Sequence, residues 1–158
     1  MSIPIKTIWL PRPANNYRGC YPLHFERHLK ELLDTENYIH LFSGHATSGH
    51  TVDINPDCNP KTIANAECLP FEDNSFDGGF ADPPYNRKFA RELYGLPYPI
   101  WNKWTKELVR VVRPSSKIGI MQNYIVPRLV GCEYDNILVI LLRIKQFPKI
   151  VTIQHKVK

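Results

Sequence analysis

The stretch Phe76 to Tyr85, FDGGFADPPY, restricts the fold more than any other part of the chain. Its first half is apolar and suits a strand. Its second half is an acid, two prolines and an aromatic. Proline has no N–H to give to a sheet ladder and cannot enter a helix interior, so a strand arriving here must stop. Asp82 and Tyr85 then stand at the carboxyl end of a strand, where open α/β sheets bind their ligands. Pro83 and Pro84 hold the carbonyls of Asp82 and Pro83 in a rigid, outward arrangement. A carboxylate and a carbonyl can both accept hydrogen bonds from one NH2 group. Tyr85 offers a flat face on which a planar base can stack. Such a site suits a planar heterocycle bearing an exocyclic amine. The plainer alternative is a strand end with Tyr85 capping the core, and the tetrapeptide alone does not choose between them.

The rest of the chain bears on that choice. A chain of 158 residues is long enough for one domain that buries ~70% of its unfolded surface. Its 43% hydrophobic and 22% charged residues are ordinary for a soluble globular protein. The longest apolar run, Ile137 to Leu142, is far short of the ~20 residues needed to span a bilayer. No signal peptide is read in MSIPIKTIWLPRP, which has one Lys and no small-residue cleavage site. Cys20, Cys58, Cys68 and Cys132 show no CxxC spacing and no paired His, so buried free thiols in a reducing cytosol are expected and a metal site is not. A net charge of +5 permits a polyanionic partner.

Residues 1–22 hold Pro4, Pro11, Pro13 and Pro22 and are expected to form an irregular arm, in which Arg12 and Arg18 either touch phosphate or are solvated. In 23–33, LHFERHLKELL has apolar residues at the spacing of one helix face. YIHLFSG, residues 38–44, reads as a buried strand that turns at Gly44, with His40 in the core or on a sheet face. HTVDINP reads as a second strand, ending at Asp53. A Gly-containing turn after one strand and an acid at the end of the next is the arrangement that holds an adenosine: the turn lets backbone approach, and the acid binds the ribose hydroxyls. The turn is not a full GxGxxG, because Ala46 stands at the second Gly position. A third short strand is expected at Ile63 to Ala66, and then the strand of FDGGFADPPY. Residues 86–99 read as a basic, aromatic-rich loop, and IWNKWTKELVRVV as a helix stopped by Pro114. KIGIMQNYIV is a strand. ILVILLRI and KIVTIQHKV, linked by Lys145-Gln146-Phe147-Pro148, form an antiparallel hairpin.

The series FSG, VDINP, NAECLPFEDNSFD, DPPY, ELVRVVRPSSKIGIM and a closing hairpin resembles a class I S-adenosylmethionine-dependent methyltransferase. DPPY resembles the [DNS]PP[YFW] motif of the amino-methyltransferases that modify adenine N6 or cytosine N4 in DNA, with relatives acting on RNA bases and on a protein glutamine. The likeness is to the small, stand-alone type carried by phages and mobile elements. It implies an α/β, Rossmann-like, mostly parallel sheet with a C-terminal antiparallel hairpin. S-adenosylmethionine is the implied cofactor. Phe42, Ser43 and Gly44 would line its amino-acid end, Asp53 would bind the ribose and Ile54 would lie against the adenine. Ala66 and Glu67 would edge that ring, and Tyr21 and Pro22, in RGCYPL, would help cover the methionine part. Asp82, also beside the cofactor, would share the target NH2 with the Pro83 carbonyl, Pro84 would keep the motif rigid and Tyr85 would stack on the target base. The implied mechanism is direct SN2 transfer from sulfonium to nitrogen, with acceptors that localise the amine's lone pair and with base flipping where the substrate is duplex.

The departures from that pattern are specific. Nine positions separate Gly44 from Asp53, against ~20 in a usual Rossmann unit, so the helix between the first two strands is expected to be missing. Asn65 stands where the family commonly has Asp, and Ser115-Ser116 where it has Gly-Gly. No separate target-recognition region is read in the sequence, which leaves the arm 1–22 and the segment 86–99 as the candidates. The candidate substrate contacts are Tyr85, Asn86, Arg87, Lys88 and Arg91 in the segment beside the motif; the alternative is a surface loop packed on the next helix. A homodimer or a partner protein could supply further surface. The aspartate form of the motif points to adenine N6 in DNA, with an RNA or protein-glutamine methyltransferase, or a catalytically silent binding subunit, as the alternatives.

Overall fold

The computed structural model describes residues 2–11, 21–142 and 147–157. Eight strands form one sheet: β1 (Ile5–Leu10), β2 (Tyr38–Leu41), β3 (His50–Asp53), β4 (Thr62–Ile63), β5 (Phe76–Ala81), β6 (Val112–Gln122), β7 (Cys132–Leu142) and β8 (Lys149–Lys156). Their order is β1-β7-β8-β6-β5-β2-β3-β4. Only β8 runs antiparallel to its neighbours β6 and β7; the other pairings are parallel. This is the mostly parallel Rossmann-like sheet with an antiparallel C-terminal hairpin.

The chain leaves β2 toward one sheet edge through β3 and β4, then returns to the other side of β2 as β5. That reversal is a topological switch point, where α/β sheets leave a crevice at the strand ends. Leu41 pairs with Ala81, so β2 and β5 end level. The amide of Asp82 reaches the Leu41 carbonyl at 3.4 Å. Residues 42–44 and 82–85 therefore emerge side by side.

Helix α1 (Phe25–Leu33) covers one face, burying Phe25, Leu29 and Leu33 against Tyr38, Phe80, Met121 and Ile153. Helix α3 (Trp101–Val111) covers the other, packing Trp104, Leu108 and Val111 on Ile39, Leu41, Val52 and Ile120. The paired glycines of β5 admit both approaches. A Cβ at Gly78 would lie 2.8 Å from Thr35, and one at Gly79 would lie 2.8 Å from Leu108 on the opposite face. As expected, no helix joins β2 to β3. Residues 42–49 make the whole crossover between parallel neighbours, a step that ordinarily takes about a dozen residues or more.

Several expectations are corrected. Residues 1–22 are not wholly irregular, because Ile5–Leu10 pairs in parallel register with Ile137 to Leu142. The β-branched Ile5, Thr7 and Ile8 favour strand, and the prolines at 4 and 11 bound the strand without interrupting it. Residues 86–99 are not all loop. Helix α2 (Arg87–Tyr94) forms from good helix formers and ends at Gly95, whose φ is +62° and whose amide bonds to the Arg91 carbonyl. The third strand is only Thr62–Ile63. α3 gives way to β6 at Val112, before Pro114, and β6 ends at Gln122. Ser115, the first residue of the Ser115-Ser116 pair, has φ +64°. Cys58 and Cys132 are free and buried as expected, but Cys68 is exposed. Arg12, Arg18, Cys20, Lys145 and Gln146 lie outside the described residues. No helix among the described residues is long and apolar enough to cross a membrane.

Candidate functional site

The DPP turn leaves β5 with Pro83 and Pro84 buried. Oδ1 of Asp82 is buried with no hydrogen-bond partner. Burial pushes this carboxyl's pKa up, opposed by the nearby Lys149 ammonium and by a hydrogen bond from Tyr85. The Pro83 carbonyl accepts from Nε2 of Gln122, at the end of β6, over 3.1 Å. That bond fixes the orientation of the Gln122 amide and leaves its Oε1 buried without a partner. The site thus holds two orphaned acceptors, and a buried acceptor without a donor is costly unless a ligand supplies one. Lys149, the first residue of β8, donates to the Tyr85 hydroxyl at 2.5 Å. Its nitrogen is also 4.7 Å from the ring centroid. The two distances together place the ammonium at the hydroxyl edge of the ring, so the contact is a hydrogen bond to oxygen and does not occupy a face of Tyr85.

Beside this turn lies a cavity of about 280 Å³, lined by Phe42, Asp53, Ile54, Ala66, Glu67 and Pro84 among others, with Leu96 to Ile100 across it. The volume is near the lower end of the ~300–1,000 Å³ typical of small-molecule sites. Asp53 is buried, with Oδ2 accepting from the Gly44 amide and Oδ1 from the Asn55 amide, both at 2.9 Å. Each oxygen keeps a lone pair for a ligand hydroxyl. Ile54 remains 42% exposed in the wall, an apolar surface that a bound ring would cover. Glu67 lines the cavity, but its Oε1 accepts from the Ile100 amide at 2.7 Å, which ties down the covering segment. Asn65 also lines it and accepts from the Glu67 amide.

The short turn after β2 is held from outside. Glu26, in the first turn of α1, accepts from the amides of Thr47 and Ser48 and from the Ser48 hydroxyl, at 2.8, 3.1 and 2.9 Å. His40 is fully buried in β2. Its Nδ1 lies 3.2 Å from the Ser48 carbonyl, which can only accept, so Nδ1 carries the proton and Nε2 accepts from the Tyr21 hydroxyl at 2.8 Å. Burial lowers its pKa to about 4 and keeps it neutral. Ser43 is buried with its hydroxyl unpartnered. Phe42, at φ +53°, sets its ring edge-on to Trp104.

Of the expected cofactor residues, Phe42, Asp53, Ile54, Ala66 and Glu67 converge on the cavity. Ser43, Gly44 and Asp82 stand at the adjoining strand ends without lining it. Tyr21 packs on Phe25, His40 and Phe80, and the buried Pro22 gives its carbonyl to the Phe25 amide at the start of α1; neither lines the cavity. Among the substrate candidates, Arg87 and Arg91 line an open groove of about 550 Å³ with Tyr98 and Trp101. Asn86 is exposed, and Lys88 pairs with Glu92 at 3.7 Å. Sequence reasoning missed Glu26, Gln122 and Lys149. Each acts across a separation that no local pattern records.

No family model and no curated protein matches the chain. Solved structures do. TrmN from Thermus thermophilus superposes with a TM-score of 0.60 at 15% identity, over 89% of this chain and 50% of its own. This chain thus spans half the length of TrmN. A chain in the complex between the Haloferax volcanii Trm112 methyltransferase activator and a methyltransferase gives 0.60 at 12% identity, over 85% and 89%. A SAM-dependent methyltransferase from Methanosarcina mazei gives 0.57 at 14%, over 87% and 98%. At these identities the likeness is one of fold, and that fold is the Rossmann-like methyltransferase fold.

Proposed function

We propose that the chain is an S-adenosylmethionine-dependent methyltransferase acting on an exocyclic amino group of a nucleic-acid base, adenine N6 in DNA. The observation that carries this is the buried, partnerless Oδ1 of Asp82 at the switch point, next to a cavity that suits a nucleoside. The residues present fit the cofactor. Asp53 would take the ribose hydroxyls, Ile54 and Ala66 the adenine, and the unpartnered Ser43 hydroxyl the amino-acid end. Bound there, the cofactor would supply an electrophilic methyl group. The chain's own part is to hold the amine: Asp82 and the Pro83 carbonyl accept its hydrogens and turn the nitrogen lone pair outward, and Tyr85 stacks on the base. Arg87 and Arg91 would take flanking phosphate, with Tyr98 and Trp101 beside them for bases.

The test is transfer of labelled methyl groups to duplex DNA, single-stranded DNA, RNA and protein, alongside calorimetry with the cofactor. Asp82→Ala is expected to lower transfer by about 10²-fold or more and to leave cofactor affinity nearly unchanged. Full activity in that variant removes Asp82 from its role. Absence of cofactor binding at millimolar concentration refutes the enzyme reading, and transfer to RNA or protein alone moves the substrate.

A further inference from the structure

Lys149 opens the last strand of the sheet, remote in sequence from the DPPY turn, and its amine nevertheless ends on the hydroxyl of Tyr85. Around it, β6 contributes the uncharged Gln122, and β2 contributes His40, which is neutral. Among the described residues, Lys149 and Tyr85 are the titratable groups that act on Asp82. We infer that Lys149 is a positioning residue of this site: through the Tyr85 hydroxyl it fixes the aromatic platform and keeps the Asp82 carboxylate in the form that accepts hydrogen bonds on both oxygens.

A carboxyl buried at a strand end takes up a proton to avoid an unpaired charge. A protonated Asp82 would offer one donor and one carbonyl where the target amine needs acceptors. The acceptor Oδ1 faces no protein donor, so no local hydrogen bond stabilises charge at that atom. An ammonium close by does so without occupying it, because the Lys149 nitrogen is spent on the phenol oxygen. The same bond orients the Tyr85 ring from its edge and leaves stacking to the ring's faces. Lys149 is half-buried, which strengthens its field over that of a surface lysine.

This inference rests on the proposed amine chemistry, and its test separates the two. The Asp82 carboxyl is titrated by ¹³C NMR in the wild type, Lys149→Met and Lys149→Arg, with the pH–rate profile of methyl transfer measured in parallel. In Lys149→Met the Asp82 midpoint is expected to rise by about one pH unit or more, a tenfold change in proton affinity. Lys149→Arg is expected to restore it, and the acid limb of transfer to follow the midpoint in each protein. An Asp82 midpoint equal in all three proteins overturns the role given to Lys149. A midpoint that moves while the acid limb does not overturns its part in catalysis. A midpoint that moves in Lys149→Met, when the wild-type chain methylates no amine, supports the Lys149–Asp82 coupling and counts against the proposed function alone.

Discussion

Glu26 and Ser48 belong to different layers, one in the first turn of α1 and the other in the turn that follows β2, and the carboxylate of the first takes both the amide and the hydroxyl of the second. Parallel neighbours are usually joined through an α-helix, which supplies its own backbone acceptors beyond the first turn. Here a single side chain replaces it. Glu26→Ala leaves the Thr47 and Ser48 amides without a protein acceptor and frees the turn that carries Ser43 and Gly44. Cofactor affinity is expected to fall about tenfold, the equivalent of ~1.4 kcal/mol, with a similar loss of stability. Calorimetry and urea denaturation measure the two. Wild-type affinity in Glu26→Ala would mean that the turn is held without it.

Gly49 closes that turn against the ring of Tyr38. At φ +75° a Cβ there would stand 2.5 Å from Cε2 of Tyr38, and the ring is itself buried. Gly49→Ala is therefore expected to cost about 2–4 kcal/mol, combining left-handed strain with a steric clash. Gly44, at φ +50°, has nothing within 4 Å of the same Cβ. Gly44→Ala should carry only the strain, about 1 kcal/mol. Urea midpoints for the two variants test the contrast, and equal losses would show that the Tyr38 ring yields.

The buried His40 makes stability depend on pH. Its pKa drops from 6.5 to about 4 in the folded chain, so the unfolded state binds the extra proton first. Stability from this group is full above pH 6.5 and is lost as pH falls from there toward 4. The loss over the whole window is on the order of 3 kcal/mol. Between pH 6.5 and 5, above most carboxylate titrations, the wild type should lose stability more steeply than His40→Gln, which has no proton to take up. Parallel slopes in the two proteins would mean that His40 is accessible to solvent.

How far the sequence could be read follows from the range of the interactions. The DPPY strand end, the turn with Asp53 and the closing hairpin are local signals, and the sheet holds each where its pattern implies. The missing helix after β2 was legible as well, because chain length alone forbids it. β1 was not: four prolines within residues 1–22 outweighed the β-branched run between two of them. α2 was hidden because its basic and aromatic residues suit a contact loop as well as a helix. Glu26, Gln122 and Lys149 leave no trace in periodicity or spacing. Glu26 looks like any first-turn acid, and Lys149 like a charge after Pro148. Only the alignment of β2, β5, β6 and β8 brings them to one end of the sheet.

Gln122 separates positioning from stability most cleanly. Its Nε2 gives the Pro83 carbonyl a donor, while its own Oε1 is buried without a partner. Gln122→Leu removes an orphaned acceptor and also leaves the Pro83 carbonyl unpaired. The two effects oppose each other, and stability should stay within about 1 kcal/mol of the wild type. Transfer should not be spared, because the carbonyl proposed to help hold the amine loses the bond that orients it. A misplacement of ~1 Å at a reacting centre can lower the rate about 10²-fold, and a fall of tenfold or more is expected here. Methyl-transfer rates and urea midpoints measured on the same preparations decide the matter. A rate that falls only in step with the fraction folded would make Gln122 a structural residue.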